Sequence, residues 1–464
     1  MRDSYSNIVI MGFGNIGQAL SSLLRKRFEN TPVLVIDDLK TSEQVAIASH
    51  YGMEFMQCHI TKDNFEEVLS SVVLENTLVV NLATSIGSRD VIAWTQKVGA
   101  FYLDTCIDPW EYNDGVINGS ENTNYEIRET VLDLMRLSKN GAPTSTAVVA
   151  HGANPGFVSI LVKEALLKMQ KHFLPSSEVP QSRAAWADLA CRLGVRVIQV
   201  SEKDTQRTSV PRMPHEFVNT WSVDGYVAEA LQPAELGWGT HEELGPMAAL
   251  VGRHETGCQA AVYIKHIGAR CEVKSWAPSA GEFVGNLISH NEAISLAHYL
   301  TVQGEAQVLY RPTVYYAYHP SMQAKQSLSL LSTADRSQIE STRILKDEIE
   351  TGIDELGVLL LSDQFPSVWM GSQLSIEHAR KIAPHNNATS LQVVGSVMAA
   401  IEWMLQSPAA GIVESEHLDH RFIFEHAKPY WEPMICEFKD WHPAGRAGHR
   451  DWTLDQFLSV LNLS

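Results

Sequence analysis

The segment from Ile8 to Gly17 constrains this chain more than any other. Ile8-Val9-Ile10-Met11 is a continuous apolar run, the pattern of a strand buried on both faces, and it passes without a break into Gly12-Phe13-Gly14-Asn15-Ile16-Gly17. This complete G-x-G-x-x-G is followed by the helical pattern Gln18 to Lys26. The first N–H groups of that helix would face a pyrophosphate, with no side chain at Gly12 or Gly14 to block the approach. A second apolar run, Pro32 to Ile36, ends in Asp37 and Asp38, and Asp37 stands 20 residues beyond Gly17. Folds of this kind hold the adenosine ribose with a carboxylate at about that distance. A carboxylate repels a 2′-phosphate, so the sequence predicts NAD rather than NADP, held by Gly12, Gly14, Asn15, Ile16, Gly17 and Asp37.

From here to residue 150 strand and helix patterns alternate about six times. That rhythm predicts an α/β fold, with a doubly wound parallel sheet of the Rossmann type over 1–152. Working residues in such sheets gather beyond the strand C-termini. The expected cofactor residues there are Asn81 with Thr84 and Ser85, Asp104, and Asn154 in the turn His151-Gly152-Ala153-Asn154-Pro155-Gly156. Asn81, Thr84 and Ser85 suit a nicotinamide ribose and would look the same as plain turn formers. Glu111, in Asp108-Pro109-Trp110-Glu111, is either a site acid or a solvated loop carboxylate.

At 464 residues the chain exceeds one ordinary core. The stretch 153–464 is predicted to form a second, α+β domain for substrate, with helices near 153–172 and 385–407 packing back on the first. Strand-like runs are expected at 195–200, 259–266, 269–276 and 306–311, a strand pair at 352–361 and 367–369, and helices at 390–405 and 452–461. Tyr315, Tyr316, Tyr318 and His319 are expected in an aromatic loop, and 323–347 is polar and helical or loose.

The net charge of -18 disfavours nucleic acid and anionic membranes as partners. Six cysteines, at 58, 106, 191, 258, 271 and 436, show no C-x-x-C and no metal-like pairing, which predicts free thiols in a reducing compartment. A polar N-terminus without a leader-like apolar run completes the expectation of a cytoplasmic protein.

Beyond residue 200, acids and tryptophans share segments rich in Gly and Pro: Glu202, Asp204, Trp221, Asp224, Glu229, Glu235, Trp238 and Glu242. Charge runs are commonly solvated faces. Tryptophans suit such faces poorly, and an indole face beside carboxylates is a way to hold an ammonium or iminium ion, the ring contributing ~0.5 to 2 kcal/mol. His290 and Glu292 precede an apolar run and should sit at a helix start. Their spacing does not put them on one helical face and makes a poor metal site, so no metal is predicted; acid and base at a pocket rim, or simple capping, remain open.

Over almost its whole length the chain resembles the bacterial homospermidine synthases, NAD-dependent relatives of the saccharopine dehydrogenase-like enzymes. The likeness is carried by Val9 to Gly17, His151 to Gly156, Thr220-Trp221-Ser222, Ala228-Glu229 through Glu243, Ser289 to Glu292, and Gly352-Ile353-Asp354-Glu355-Leu356-Gly357. The resemblance implies coupling of two putrescines, or a related polyamine and putrescine, to homospermidine with release of ammonia. NAD would be reduced and re-oxidised within one cycle, and the enzyme would be a homodimer. It also implies catalytic roles for Trp221, Glu229, Glu202, His290 and Asn154, and substrate binding by Glu111, Glu292 and Asp354. Trp221 would face the cation, Glu229 and Glu202 would bracket it, Asp354 and Glu292 would hold the distal ammonium, and His290 with Asn154 would orient amine and nicotinamide. A dication without a carboxylate calls for acids and an aromatic face rather than arginines, and 220–243 and 289–292 contain no arginine. A saccharopine-like or carboxylated-polyamine dehydrogenase, and a non-catalytic NAD-binding sensor, stay as alternatives.

Overall fold

A computed structural model describes residues 4–111, 122–138, 144–243, 248–250, 259–443 and 451–461. Cys258 lies outside them. The chain divides into two compact units. The first gathers Met1–Asn113, Ile127–Phe157 and Glu377–Tyr430, and the second Asp114–Glu126, Val158–Ile376 and Trp431–Ser464.

The first unit is built on a parallel sheet. Its strands are β1 (Ile8–Met11), β2 (Val33–Asp37), β3 (Glu54–Gln57), β4 (Leu78–Asn81), β5 (Phe101–Asp104) and β6 (Ala147–Val149), joined by a seventh, Ile412–Glu414. The spatial order is Ile412–Glu414, β6, β5, β4, β1, β2, β3, so the chain reverses direction beside β1. β1, β4, β5 and β6 are buried at every residue, which accounts for their uninterrupted apolar runs. Helix α1 (Asn15–Arg27) starts at Gly14 directly after β1. The long helix Ala388–Gln406 also belongs to this unit. It has the length and apolarity of a membrane span, but 89% of its apolar window is buried, which makes it a core helix.

The second unit holds an 11-stranded mixed sheet centred on β7 (Val195–Asp204). β7 pairs in parallel with Thr313–His319 and antiparallel with Ile353–Ser362, which in turn pairs with Ser367–Ser375. Two expectations are corrected here. Tyr315 to His319 are not loop: they lie in the strand Thr313–His319, buried up to Tyr318, and alternation sends Tyr315 to one face and Tyr316 and Tyr318 to the other. Trp452 to Leu461 is not a helix: a short 3₁₀ turn, Leu454–Gln456, leads into the strand Leu458–Leu461, which pairs with Cys271–Ala277. The β7 face bearing Val197 and Gln199 packs into the hydrophobic core with Tyr315, Leu359, Trp369 and Phe457. The opposite face, with Glu202 and Asp204, is the polar one.

Arg128, in the helix Asn124–Ser138, grips Glu414 on the seventh strand of the first unit, Nε to Oε1 at 2.6 Å and Nη2 to Oε2 at 2.8 Å. Both side chains are buried. Removing one partner leaves an uncompensated buried charge, so Arg128→Met should cost ~3 to 5 kcal/mol of stability, and a double change to apolar residues at 128 and 414 should recover much of it. Chemical denaturation of the three proteins checks this; a double variant less stable than either single variant would contradict it.

Candidate active site

In the first unit the glycine loop is shaped by contact. Gly12 adopts φ +88°, and a Cβ there would meet Ala83 N at 2.7 Å, so only glycine lets the loop cross the end of β4. A Cβ at Gly17 would lie 2.6 Å from Gly12 O, whereas one at Gly14 would meet nothing within 4 Å. Gly14 is the exposed N-cap of α1, and the first turn of α1, including Asn15, Ile16 and Gly17, carries no acid. This open, positively polarised helix end fits a pyrophosphate. Asp37, at the end of β2, accepts hydrogen bonds from Phe13 N–H (2.5 Å) and Leu39 N–H (2.9 Å). A carboxylate has about four acceptor sites, so capacity remains for ribose hydroxyls.

Around this loop Thr84 and Ser85 are exposed, and Asn81 is buried. Asn81 donates to Ile86 O and Tyr102 Oη and accepts from Ala83 N–H, bonds that shape the loop itself. Asp104 is fully buried and accepts from Tyr102 Oη (2.8 Å) and Ala150 N–H (2.6 Å); burial, only partly offset by these bonds, pushes its carboxyl up to about 7. Asn154 sits in the turn closed by the Gly152–Gly156 bridge. Glu111 is exposed at the edge of the described residues.

The second unit brings the remaining residues toward one sheet face. Cross-strand register sets Glu202 between Tyr318 and Leu356, and Asp204 opposite Asp354. Tyr316 Oη donates to Glu202 at 2.6 Å. The ring of Tyr316 lies 4.5 Å from that of His290 and 5.2 Å, stacked, from Tyr318. His290 is the N-cap of the helix Asn291–Tyr299, with extended backbone and no side-chain capping bond. Because it precedes the first turn, the helical-face argument does not apply: its Nδ1 lies 3.1 Å from Glu292 Oε1 and its Nε2 2.9 Å from Glu229 Oε2. The pair is buried rather than at a rim. Burial opposes charge on the ring, but the two carboxylates, by charge and hydrogen bond, outweigh it and hold the pKa well above the usual imidazole value.

Glu229 comes from the helix Val223–Leu231, capped by Ser222. Three residues before it on the same helical face, Tyr226 meets Tyr318 (5.4 Å) and Trp221 (6.2 Å). A Cβ at Gly225 would lie 2.7 Å from the Trp221 ring, so the glycine lets the indole rest on the helix. Trp221 stays partly exposed. The structure adds Asp204, which the sequence grouped with other acids without separating it from them. Gln206 and Thr220 donate to it, and burial, partly offset by these bonds, pushes its carboxyl up to about 6.

Other acids of the same stretch serve the fold. Glu235 accepts from the backbone N–H groups of Asn124 and Tyr125, Glu242 accepts from Thr313 Oγ1 and Leu454 N–H, and Trp238 packs on the core. Asp224 is exposed beside Arg336.

A histidine whose folded pKa exceeds its unfolded value near 6.5 stabilises the fold fully below that pH and loses the contribution as pH rises through the folded value. His290→Gln should therefore lower the melting temperature most at pH ~6, with the gap narrowing in alkaline solution. A gap that widens with pH would contradict a charged imidazole.

Residues 8–146 match the saccharopine dehydrogenase NADP binding domain, and residues 152–437 the saccharopine dehydrogenase C-terminal domain. The chain is 42% identical over 468 residues to a homospermidine synthase of Blastochloris viridis, covering 98% of this chain and 97% of that one. It is 38% identical over 450 residues to a homospermidine synthase of Mesorhizobium japonicum, covering 95% and 91%. Among solved structures, the homospermidine synthase of Legionella pneumophila in complex with NAD superposes with a TM-score of 0.89 at 40% identity, covering 98% of both chains.

Proposed function

The chain belongs to the homospermidine synthase family of saccharopine dehydrogenase-like proteins, and on that premise we propose that it joins two putrescines into homospermidine with release of ammonia, using NAD. The observation that carries the reading is the imidazole of His290 clamped between Glu229 and Glu292 beside an aromatic wall. Such a site holds cations and keeps a proton within reach of leaving nitrogen. The enzyme acts in the cytoplasm as a homodimer on small-molecule amines.

Gly12, Gly14, Asn15, Ile16 and Gly17 hold the pyrophosphate of NAD and Asp37 the adenosine ribose; Thr84, Ser85 and Asn154 serve the nicotinamide end. Asn81 and Asp104 act through the loop and turn they brace. Bound NAD supplies a hydride acceptor and later a hydride donor, so none is consumed. The protein's own part begins with the proton. Hydride can leave the carbon beside an amine only when the nitrogen is neutral, so Glu229 or Glu202 takes a proton from the ammonium. The iminium that results is stabilised by Glu202, Glu229 and the Trp221 face. The second putrescine, its attacking nitrogen made neutral by the other of these two acids, bonds to that carbon, and His290, positively charged in its clamp, gives a proton to the departing ammonia. Glu292, Asp354 and Glu111 hold the ammonium groups that do not react. The imidazolium is regenerated by the proton that the attacking nitrogen releases after bonding, and once the hydride has returned to carbon the protons held by Glu202 and Glu229 pass to the secondary amine and to ammonia.

Purified protein given putrescine, with NAD far below the putrescine concentration, should form homospermidine and ammonia in equal amounts with no build-up of NADH. NADH rising in proportion to product would favour a simple dehydrogenase instead.

A further inference from the structure

Three phenols of the second unit are satisfied within it. Tyr310 Oη donates to Val195 O at 2.6 Å, Tyr315 Oη accepts from Gln199 Nε2 at 2.6 Å, and Tyr316 donates to Glu202. Tyr226 and Tyr318 differ. Both are at least 99% buried, their rings touch edge to face, and neither hydroxyl has a hydrogen-bond partner among the described residues. An orphaned buried hydroxyl costs stability, and phenylalanine would fill the same space without that cost.

Their surroundings indicate what the hydroxyls are for. Tyr318 stands beside Glu202 in the sheet register, two residues along the strand from Tyr316, on the face that also bears Asp204 and Asp354. Tyr226 rises from the helix that carries Glu229 and lies against Trp221. Burial first, and then the neighbouring carboxylates, push both phenols well above their ordinary range, so both remain neutral. Two neutral hydroxyls therefore sit within a wall of acids.

A primary ammonium presents three N–H donors, like a lysine. Each carboxylate that accepts one of them also raises the pKa of the amine and holds its proton more firmly. Oxidation needs that proton gone. A neutral acceptor satisfies a donor while adding far less to this hold than a carboxylate does, and it keeps its bond after the nitrogen has been deprotonated, because the amine still has N–H groups to give.

We propose that Tyr318 and Tyr226 are substrate-binding residues whose hydroxyls accept N–H bonds from the diamine, letting the pocket grip an amine without fixing it as an ammonium. The inference rests on the homospermidine synthase reading for its substrate.

Tyr318→Phe and Tyr226→Phe in the full chain test it, with Tyr315→Phe, on the opposite face of the same strand, for comparison. Loss of a hydrogen bond to a charged group should raise KM for putrescine about tenfold in the Tyr318 variant and measurably in the Tyr226 variant. The acid limb of the kcat profile, which reports the bound amine, should move to higher pH, because carboxylates then take up the N–H bonds that the hydroxyls accepted. NAD affinity should stay native and the melting temperature should be equal or higher. Tyr315→Phe should do the reverse, lowering the melting temperature while leaving KM native. Native KM and an unmoved pH profile in both Tyr318→Phe and Tyr226→Phe would overturn the proposal, as would a fall in melting temperature that accounts for the lost activity. Calorimetric binding of putrescine to the native protein and both variants reads the same hydroxyls whether or not product forms. Absence of homospermidine from the native protein alone would count against the functional reading, whereas unchanged putrescine affinity in both variants would count against this one.

Discussion

Negative charge buried on and against one sheet face is the constraint from which the second unit's arrangement follows. Glu202, Asp204, Glu292 and Asp354 are each at least 98% buried, and a carboxylate removed from water is costly unless it is paired and hydrogen-bonded. The fold meets that requirement locally. Tyr316 donates to Glu202, Gln206 and Thr220 donate to Asp204, and His290 stands between Glu229 and Glu292. On the proposed function a dicationic substrate would complete the compensation, which would give these acids a physical reason to prefer amines over amino acids. An arginine-lined pocket would have inverted that preference.

The first unit supplies the opposite polarity by other means. It presents backbone N–H groups at the end of α1, next to a glycine where side-chain space is open, and it keeps acids out of the first helical turn. Asp37 lies at the end of the neighbouring strand, where its two backbone bonds fix the carboxylate for a ribose. On the proposed function that carboxylate would repel a 2′-phosphate and so favour NAD in a domain matching a family described as NADP binding.

Much of the first unit was legible because β1, β4, β5 and β6 are buried on both faces and therefore read as apolar runs a few residues long. The seventh strand was not: Ile412–Glu414 is three residues, far from the others in sequence, and its place depends on β6 and on Arg128 gripping Glu414. In the second unit, local pattern recovered the pairing of Ile353–Ser362 with Ser367–Ser375, joined by a short connection. It failed at Thr313–His319 because three tyrosines and a histidine look like loop until a neighbour on each side buries them. At the site, His290, Glu292, Glu229 and Trp221 stood out as polar or aromatic residues in distinctive segments. Asp204, Tyr226 and Tyr318 did not, since each is ordinary by itself and acquires meaning only from strand register or helix packing. The one available signal was alternation: Glu202 and Asp204, like Tyr316 and Tyr318, are two residues apart toward the ends of their strands. Sequence alone equally could not separate Glu235 and Glu242 from the pocket acids, because what they bond to is backbone brought in from remote segments.

On the proposed function, one bound nucleotide takes a hydride from an amine and returns it to the same carbon, while the buried acids and His290 manage the protons. Putrescine deuterated at both amine-bearing carbons tests it directly, with excess unlabelled NADH in solution and the homospermidine weighed by mass spectrometry. Retention of all the deuterium in the product is the predicted result. Loss of one deuterium per molecule of product, replaced by hydrogen from the NADH pool, would mean that the cofactor leaves between the two hydride transfers and would contradict the account.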